Sequence, residues 1–209
     1  MKKNISALFL LLVITACSSA LLKPDSEELA SAAPSEFKVL FETSKGNFTL
    51  DVKREYSPKA VDRFYFLVKH GYYDGNRFFR VVPNFVVQWG INGNPEINKV
   101  WDKNGIEDEP VKLSNHRGTI AFARGGPNTR SNQVYINFKD NLRLDTTSYN
   151  NVNGFPAFGK VIEGMAAVDS IYSGYLQKPN QDSIQQKGNE YLLRNFPKLD
   201  YIIKAEIID

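Results

Sequence analysis

The sequence predicts a mainly β protein built as a closed antiparallel barrel. Three observations lead there. Short runs with a two-residue apolar period, the signature of half-buried strands, recur along the chain. Few segments carry a helical period. The first and last segments of the body both read as strands, so they can pair and close the sheet.

The elements follow in order. The body starts near Phe37, and 37–43 and 47–52 alternate apolar and polar residues around the turn Ser44-Lys45-Gly46. A helix is expected over 57–71. Ser57 suits its N-cap, Pro58 its first turn and Gly71 its end, with Val61, Phe64, Leu67 and Val68 on one face. Strands are expected at 78–82, 85–89, 119–123, 133–137 and 157–161. A second helix is expected over 162–172, with Met165, Val168 and Tyr172 on one side. The region 180–198 reads as a polar helix anchored by Tyr191, Leu192 and Phe196, and 201–208 as the closing strand.

The N-terminus carries different information. Lys2 and Lys3 precede an apolar run from Ile5 to Ile14, then Thr15, Ala16 and Cys17. A charged start, a short apolar core and small residues before a cut describe an export signal over 1–16. Cys17 is the one cysteine in 209 residues, so no internal disulfide is possible. A plain cleaved signal would leave an exported protein with a lone free thiol. Ile14-Thr15-Ala16-Cys17 also resembles a bacterial lipobox. That resemblance implies an acylated Cys17 (diacylglycerol and fatty acids such as palmitate) that ties the protein to a membrane of the cell envelope, facing the periplasm or the exterior. Polar, small-rich residues follow, and 17–36 is expected to be a flexible tether ahead of one domain, 37–209.

Bulk composition excludes more than it assigns. The chain is 42% hydrophobic and 23% charged, typical of a globular protein. It has 26 basic and 23 acidic residues, net +3. Without Lys2 and Lys3 this becomes 24 against 23, or +1, which gives no case for nucleic-acid binding. His70 is expected at a helix end facing solvent, His116 in a turn, and Asp108 and Glu109 in a solvated loop. No HExxH, GxSxG or paired His/Cys pattern occurs, so no metal and no cofactor are expected.

What remains is an arginine in an apolar setting. Arg80 and Gln88 are the polar residues breaking the apolar segment 78–90 at strand positions. A buried unpaired charge is costly, so Arg80 either finds a partner or snorkels to water from a strand edge; both readings stand at this point.

Segment 78–90, with Phe78, Arg80, Val81-Val82-Pro83, Phe85, Gln88 and Gly90, resembles the signature of cyclophilin-type peptidyl-prolyl isomerases. Ile120 to Ile136 and Phe158 to Met165 match two further motifs in the family's order, and the similarity spans 37–209. The resemblance implies eight antiparallel strands capped by two helices, with an extra helical segment near the C-terminus of this chain. It implies prolyl isomerisation with Arg80 as the catalytic guanidinium and Gln88 as its neighbour. Phe85, Val86, Tyr135 and Leu144 would line the proline pocket. Gln133 and the backbone at Ala123 and Arg124 would hold the peptide, with Phe155 at the same groove. Expected partners are proline-containing peptides and unfolded exported proteins, and the expected state is a monomer.

Three positions depart from the family's pattern. Tyr135 stands for the usual phenylalanine, Phe155 for a frequent histidine, and Arg143 for a tryptophan that helps bind cyclosporin, so weak cyclosporin binding is expected. The segment 145–154 is also longer than in the shortest members. A rival reading is a peptide-binding or chaperone module that keeps the barrel and turns over poorly. The intact Arg80, Gln88 and Phe85 favour the enzyme.

Overall fold

The computed structural model describes residues 20–149 and 152–208. The expected export signal and the acylated Cys17 lie outside the described residues.

Ten strands and six helices make up the described chain. The main sheet uses β1 (Glu36–Thr43), β2 (Gly46–Lys53), β3 (Arg80–Val82), β4 (Val86–Trp89), β5 (Thr119–Phe122), β6 (Val134–Asn137), β9 (Ala157–Glu163) and β10 (Ile202–Ile208). Their order is β10-β1-β2-β9-β5-β6-β4-β3, antiparallel throughout. The sheet curls, but its regular ladder stops at β10 and β3. One isolated antiparallel bridge, Arg77 to Tyr201, spans the gap. Phe78 N–H donates to the Asp200 carbonyl beside it (3.0 Å), and Gly75 N–H donates to that of Ile202 (2.9 Å). The expected closure is thus made by the residues leading into β3 and β10 and not by a full strand pair. A separate short hairpin joins β7 (Ser148–Tyr149) to β8 (Val152–Asn153).

Alternation along the strands fills the interior. Val39, Phe41, Phe48, Leu50, Phe122, Ile136 and Phe158 are buried. Phe41 stacks on Phe48 at 4.8 Å and meets the Trp89 ring edge-on at 5.7 Å, so the interior is a packed core and not a channel. Helix α2 (Pro58–Lys69) covers one side, burying the expected Val61, Phe64, Leu67 and Val68. The second expected helix is shorter, α5 (Met165–Asp169). β9 stays extended up to Glu163, and Gly164, at φ 77°, turns the chain where a Cβ would overlap the Asn47 carbonyl of β2.

Other expectations are corrected locally. Ser57 does not cap α2 with its side chain. Glu109 does so from a distant loop, accepting from the backbone N–H of Lys59 (2.8 Å) and Ala60 (3.2 Å). A carboxylate outcompetes a hydroxyl at the positive end of a helix. His70 is only 15% exposed. Its Nε2 sits 2.9 Å from Glu28 Oε1 and its ring packs on Phe66.

Glu28 belongs to α1 (Ser26–Ala30), within the segment expected to be a tether. From Leu21 on, that segment lies against the body. Leu21 is buried, its carbonyl accepts from Trp101 Nε1 (2.9 Å), and Ala33 N–H donates to Asp62 (2.8 Å). Single apolar residues in a polar stretch make these anchors, too sparse to show a period.

Candidate active site

β3 and β4 pair in a register that sets Arg80 opposite Gln88. Cross-strand partners project to the same face, and Arg80 Nη1 donates to Gln88 Oε1 at 3.0 Å. Gln88 Nε2 donates in turn to Gln133 Oε1 at 2.9 Å. The guanidinium thus has a partner, which decides between the two readings of Arg80. Partial burial lowers its pKa from the usual arginine value by desolvation. No carboxylate pairs with it among the described residues.

Beside Arg80 opens a groove of about 940 Å³. The ten groove residues expected from the sequence all line it: Arg80, Phe85, Val86, Gln88, Ala123, Arg124, Gln133, Tyr135, Leu144 and Phe155. Its apolar wall is Val86, Tyr135 and Leu144, backed by the buried Ala121 and Ala157, with Phe85 and Phe155 at its edge. Phe85 lies between two cations: the Arg80 guanidinium is 5.5 Å from its ring centre and that of Arg143 is 4.9 Å away. Arg143 comes from α4 (Arg143–Thr146), a turn of helix at the rim that the sequence did not reveal.

The Tyr135 hydroxyl does not enter the groove as a free donor. It donates to Asn115 Oδ1 (3.0 Å), which also accepts from Asn137 Nδ2 (3.1 Å). Asn115 is held by Asp145, whose Oδ1 accepts from its backbone N–H (2.9 Å) and its Nδ2 (2.8 Å). Burial raises the Tyr135 pKa, so the phenol stays protonated.

Arg124 contributes in two ways. Its side chain is 1% exposed and turns away from solvent, lying 4.7 Å from the Phe155 ring centre. It donates to the carbonyls of Val152 (3.1 Å) and Gly154, pinning the loop that carries Phe155. Asp108 lies 3.4 Å from Arg124 and 3.8 Å from Arg130, and Glu109 lies 3.0 Å from Arg130. The expected solvated loop is therefore corrected: its two carboxylates neutralise buried arginines under the groove. The pairing needs residues more than a dozen positions apart, which local sequence patterns do not expose.

The polar side of the groove was not expected: the sequence places a helix over 180–198 but gives it no part in the site. That side comes from α3 (Pro95–Trp101), followed by Asp102, and from α6 (Gln181–Asn195), which supplies Gln181, Asp182, Gln185 and Gln186. Just before α6, Gln177 Oε1 accepts from Arg80 Nε at 3.4 Å. α3 did carry a signal: Asn94 accepts from Glu96 N–H (2.9 Å) as its N-cap, with Pro95 in the first turn. α6 is kinked at Gly188 and docks through Ile184 and Leu192 on Phe79, Ile91 and Leu199.

An eight-stranded antiparallel curl with a guanidinium–amide pair beside an apolar pocket is the architecture of a prolyl isomerase. The family model for "Cyclophilin type peptidyl-prolyl cis-trans isomerase/CLD" matches residues 38–189. Peptidyl-prolyl cis-trans isomerase A of Dickeya dadantii (strain 3937) is 34% identical over 160 residues, covering 76% of this chain and 80% of that protein. A probable peptidyl-prolyl cis-trans isomerase of Brucella abortus (strain 2308) is 31% identical over 178 residues, covering 79% and 87%. The crystal structure of a Cryptosporidium parvum cyclophilin-type isomerase shares the fold, with TM-score 0.57 and 22% identity over 83% of this chain and 98% of that one. The chain belongs to the cyclophilin-type peptidyl-prolyl cis-trans isomerases, and its activity is peptidyl-prolyl cis-trans isomerisation, EC 5.2.1.8.

Proposed function

We propose that the protein isomerises Xaa-Pro bonds in exported proteins by holding the twisted amide non-covalently with Arg80. The observation that carries this is the desolvated guanidinium fixed by Gln88 at 3.0 Å beside an apolar cluster. Amide resonance sets the rotation barrier at about 18–20 kcal/mol. As the bond twists, the prolyl nitrogen becomes pyramidal and regains a lone pair. A guanidinium N–H then donates to it, an interaction absent from either planar isomer. Phe85, Val86, Tyr135 and Leu144 hold the ring and exclude water, which strengthens that hydrogen bond. Lowering the barrier by about 5 kcal/mol gives a several-thousandfold rate. No bond is broken, and neither histidine lines the groove. Among solved relatives in fold, the Cryptosporidium protein was crystallised in the presence of the dipeptide Ala-Pro (TM-score 0.56, 22% identity), in keeping with a proline-containing substrate here.

The test is a prolyl-isomerisation assay on the full-length protein and on Arg80→Ala. Turnover is expected to fall by one to three powers of ten, about 1.4–4 kcal/mol of transition-state stabilisation. Arg80→Lys recovers part of it, keeping the charge but losing the planar fork. Full turnover in a folded Arg80→Ala variant removes Arg80 from the mechanism.

The site of action is the cell envelope, with Cys17 acylated. The motif Ile14-Thr15-Ala16-Cys17 supports this. No helix among the described residues is long and apolar enough to cross a membrane. In cells fed labelled fatty acid the wild-type chain should carry label and Cys17→Ala none. An unlabelled wild type, recovered free of membranes, defeats the proposal.

A further inference from the structure

Arg80 is braced from two sides, and only one brace belongs to the sheet. Gln88, its cross-strand neighbour on β4, takes Nη1 at 3.0 Å. Gln177, 97 positions further along the chain, takes Nε through Oε1 at 3.4 Å. Nη2 donates to no other described residue. Holding two different nitrogens of a planar group fixes its plane, which one bond alone leaves free to rotate.

Gln177 is exposed, and a single bond at 3.4 Å is weak by itself. The turn that carries it gives it weight. The Leu176 carbonyl accepts from the N–H of Val81 (3.0 Å), the residue after Arg80 on β3. β3 ends the sheet, so this bond covers an open edge directly beside the guanidinium. The turn also closes on itself, through Leu176 N–H to the Ser173 carbonyl (2.9 Å) and Lys178 N–H to that of Tyr175 (3.0 Å). Leu176 sits at φ 52°, a left-handed conformation that leucine rarely adopts. Its side chain is 47% exposed, so burying it does not offset the strain. The turn is fastened from behind. Tyr175 meets Tyr172 edge-on at 5.3 Å and Phe196 at 5.1 Å, and Asn180 N–H donates to the Tyr191 hydroxyl (3.3 Å).

A plain connector into α6 that covers the sheet edge accounts for the Val81 bond and the aromatic contacts. It leaves unaccounted a strained leucine whose next residue lays an acceptor on Nε. The chemistry of the two braces also matches. Each is an amide oxygen, which takes an N–H without cancelling the charge, whereas a carboxylate would form an ion pair and compete with the substrate.

We propose that Gln177 is a positioning residue for the isomerisation, fixing the plane of the Arg80 fork so that a free N–H meets the twisting prolyl nitrogen. This rests on the isomerase reading above and adds the turn 173–178 to the working site. A donor aimed in advance needs no reorganisation as the bond twists, so loss of the brace is felt in the transition state more than in binding.

The experiment compares the full-length protein with Gln177→Ala, Arg80→Ala and the double variant in a prolyl-isomerisation assay, with thermal melts alongside. Gln177→Ala should lower kcat by about three- to tenfold and leave KM within about twofold. Added to Arg80→Ala, it should cost nothing further, because Gln177 acts only through Arg80. Heteronuclear NMR gives a second readout. The Arg80 Nε–H resonance, identified by its loss in Arg80→Ala, should shift or broaden in Gln177→Ala while those of the other arginines stay in place. Wild-type turnover in a folded Gln177→Ala variant, with Arg80→Ala still impaired, overturns the brace and leaves the isomerase reading standing. So does a rise in KM at unchanged kcat, which makes Gln177 a peptide contact, or an equal loss in the Arg80→Ala background. Full turnover in Arg80→Ala overturns both.

Discussion

The two walls of the groove are built on opposite principles. One belongs to the sheet: Val86 and Tyr135 sit on β4 and β6, backed by Ala157 on β9, and each strand is fixed by neighbours on both sides. The other is applied from outside: α6 rests on a separate apolar cluster around Phe79, Ile91 and Leu199, while Asp102 follows α3, whose Ile97 and Trp101 belong to the main core. The first wall cannot move without opening the barrel. The α6 part of the second is held by a small core of its own and a few contacts to 93–98. The apolar pocket therefore shares the stability of the whole fold, whereas the α6 surface depends on a lesser unit.

Gly188 offers the largest break in that contrast. It sits at φ 57° inside α6, and a Cβ there would overlap the Gly93 carbonyl. Gly188→Ala is expected to cost about 2 kcal/mol, from left-handed strain and the loss of close helix approach. Limited proteolysis should then cut first within 177–196 while the sheet stays protected. A cooperative loss of the entire fold would show that the polar wall is no separate unit. A smaller effect tests the sheet wall. Tyr135→Phe removes the hydroxyl bound to Asn115 and should lower stability by about 1 kcal/mol, with turnover within about twofold of wild type, because that hydroxyl faces the core. A large fall in rate with stability unchanged would give the phenol a role in the reaction. The smallest expected effect is none. With burial holding Tyr135 protonated and no histidine lining the groove, kcat/KM should stay flat between about pH 6 and 8. An inflection in that range would reveal an acid or base outside the proposed set.

The same contrast explains what could be read from the residues alone. Alternation with a period of two locates β1, β2 and β10, and motif spacing brings Arg80, Gln88, Gln133 and Tyr135 to one groove. These follow because strand register converts sequence spacing directly into facing side chains. Gln181, Asp182 and Gln185 have no such rule. Their direction is set by where α6 docks, through the Gly93–Gly188 approach, and no local pattern encodes a helix's tertiary placement. The pairing of Glu109 with Arg130 and with the start of α2 was hidden for the same reason. Closure by a single bridge at Arg77 and Tyr201 was hidden too, since both flanking strands look complete in sequence.

Leu21 turns the N-terminus into a question of leash length. Its carbonyl is fastened to Trp101, the residue before Asp102 in the groove wall. Leu21 stands four positions after Cys17, a fully stretched reach of about 14 Å. A domain of this size has a radius of gyration of about 16 Å. Were Cys17 the anchor, as proposed, the enzyme would be moored closer to the lipid than its own radius, by the end of the molecule that carries Trp101 and Asp102. Its work would then be confined to a thin layer at the membrane surface.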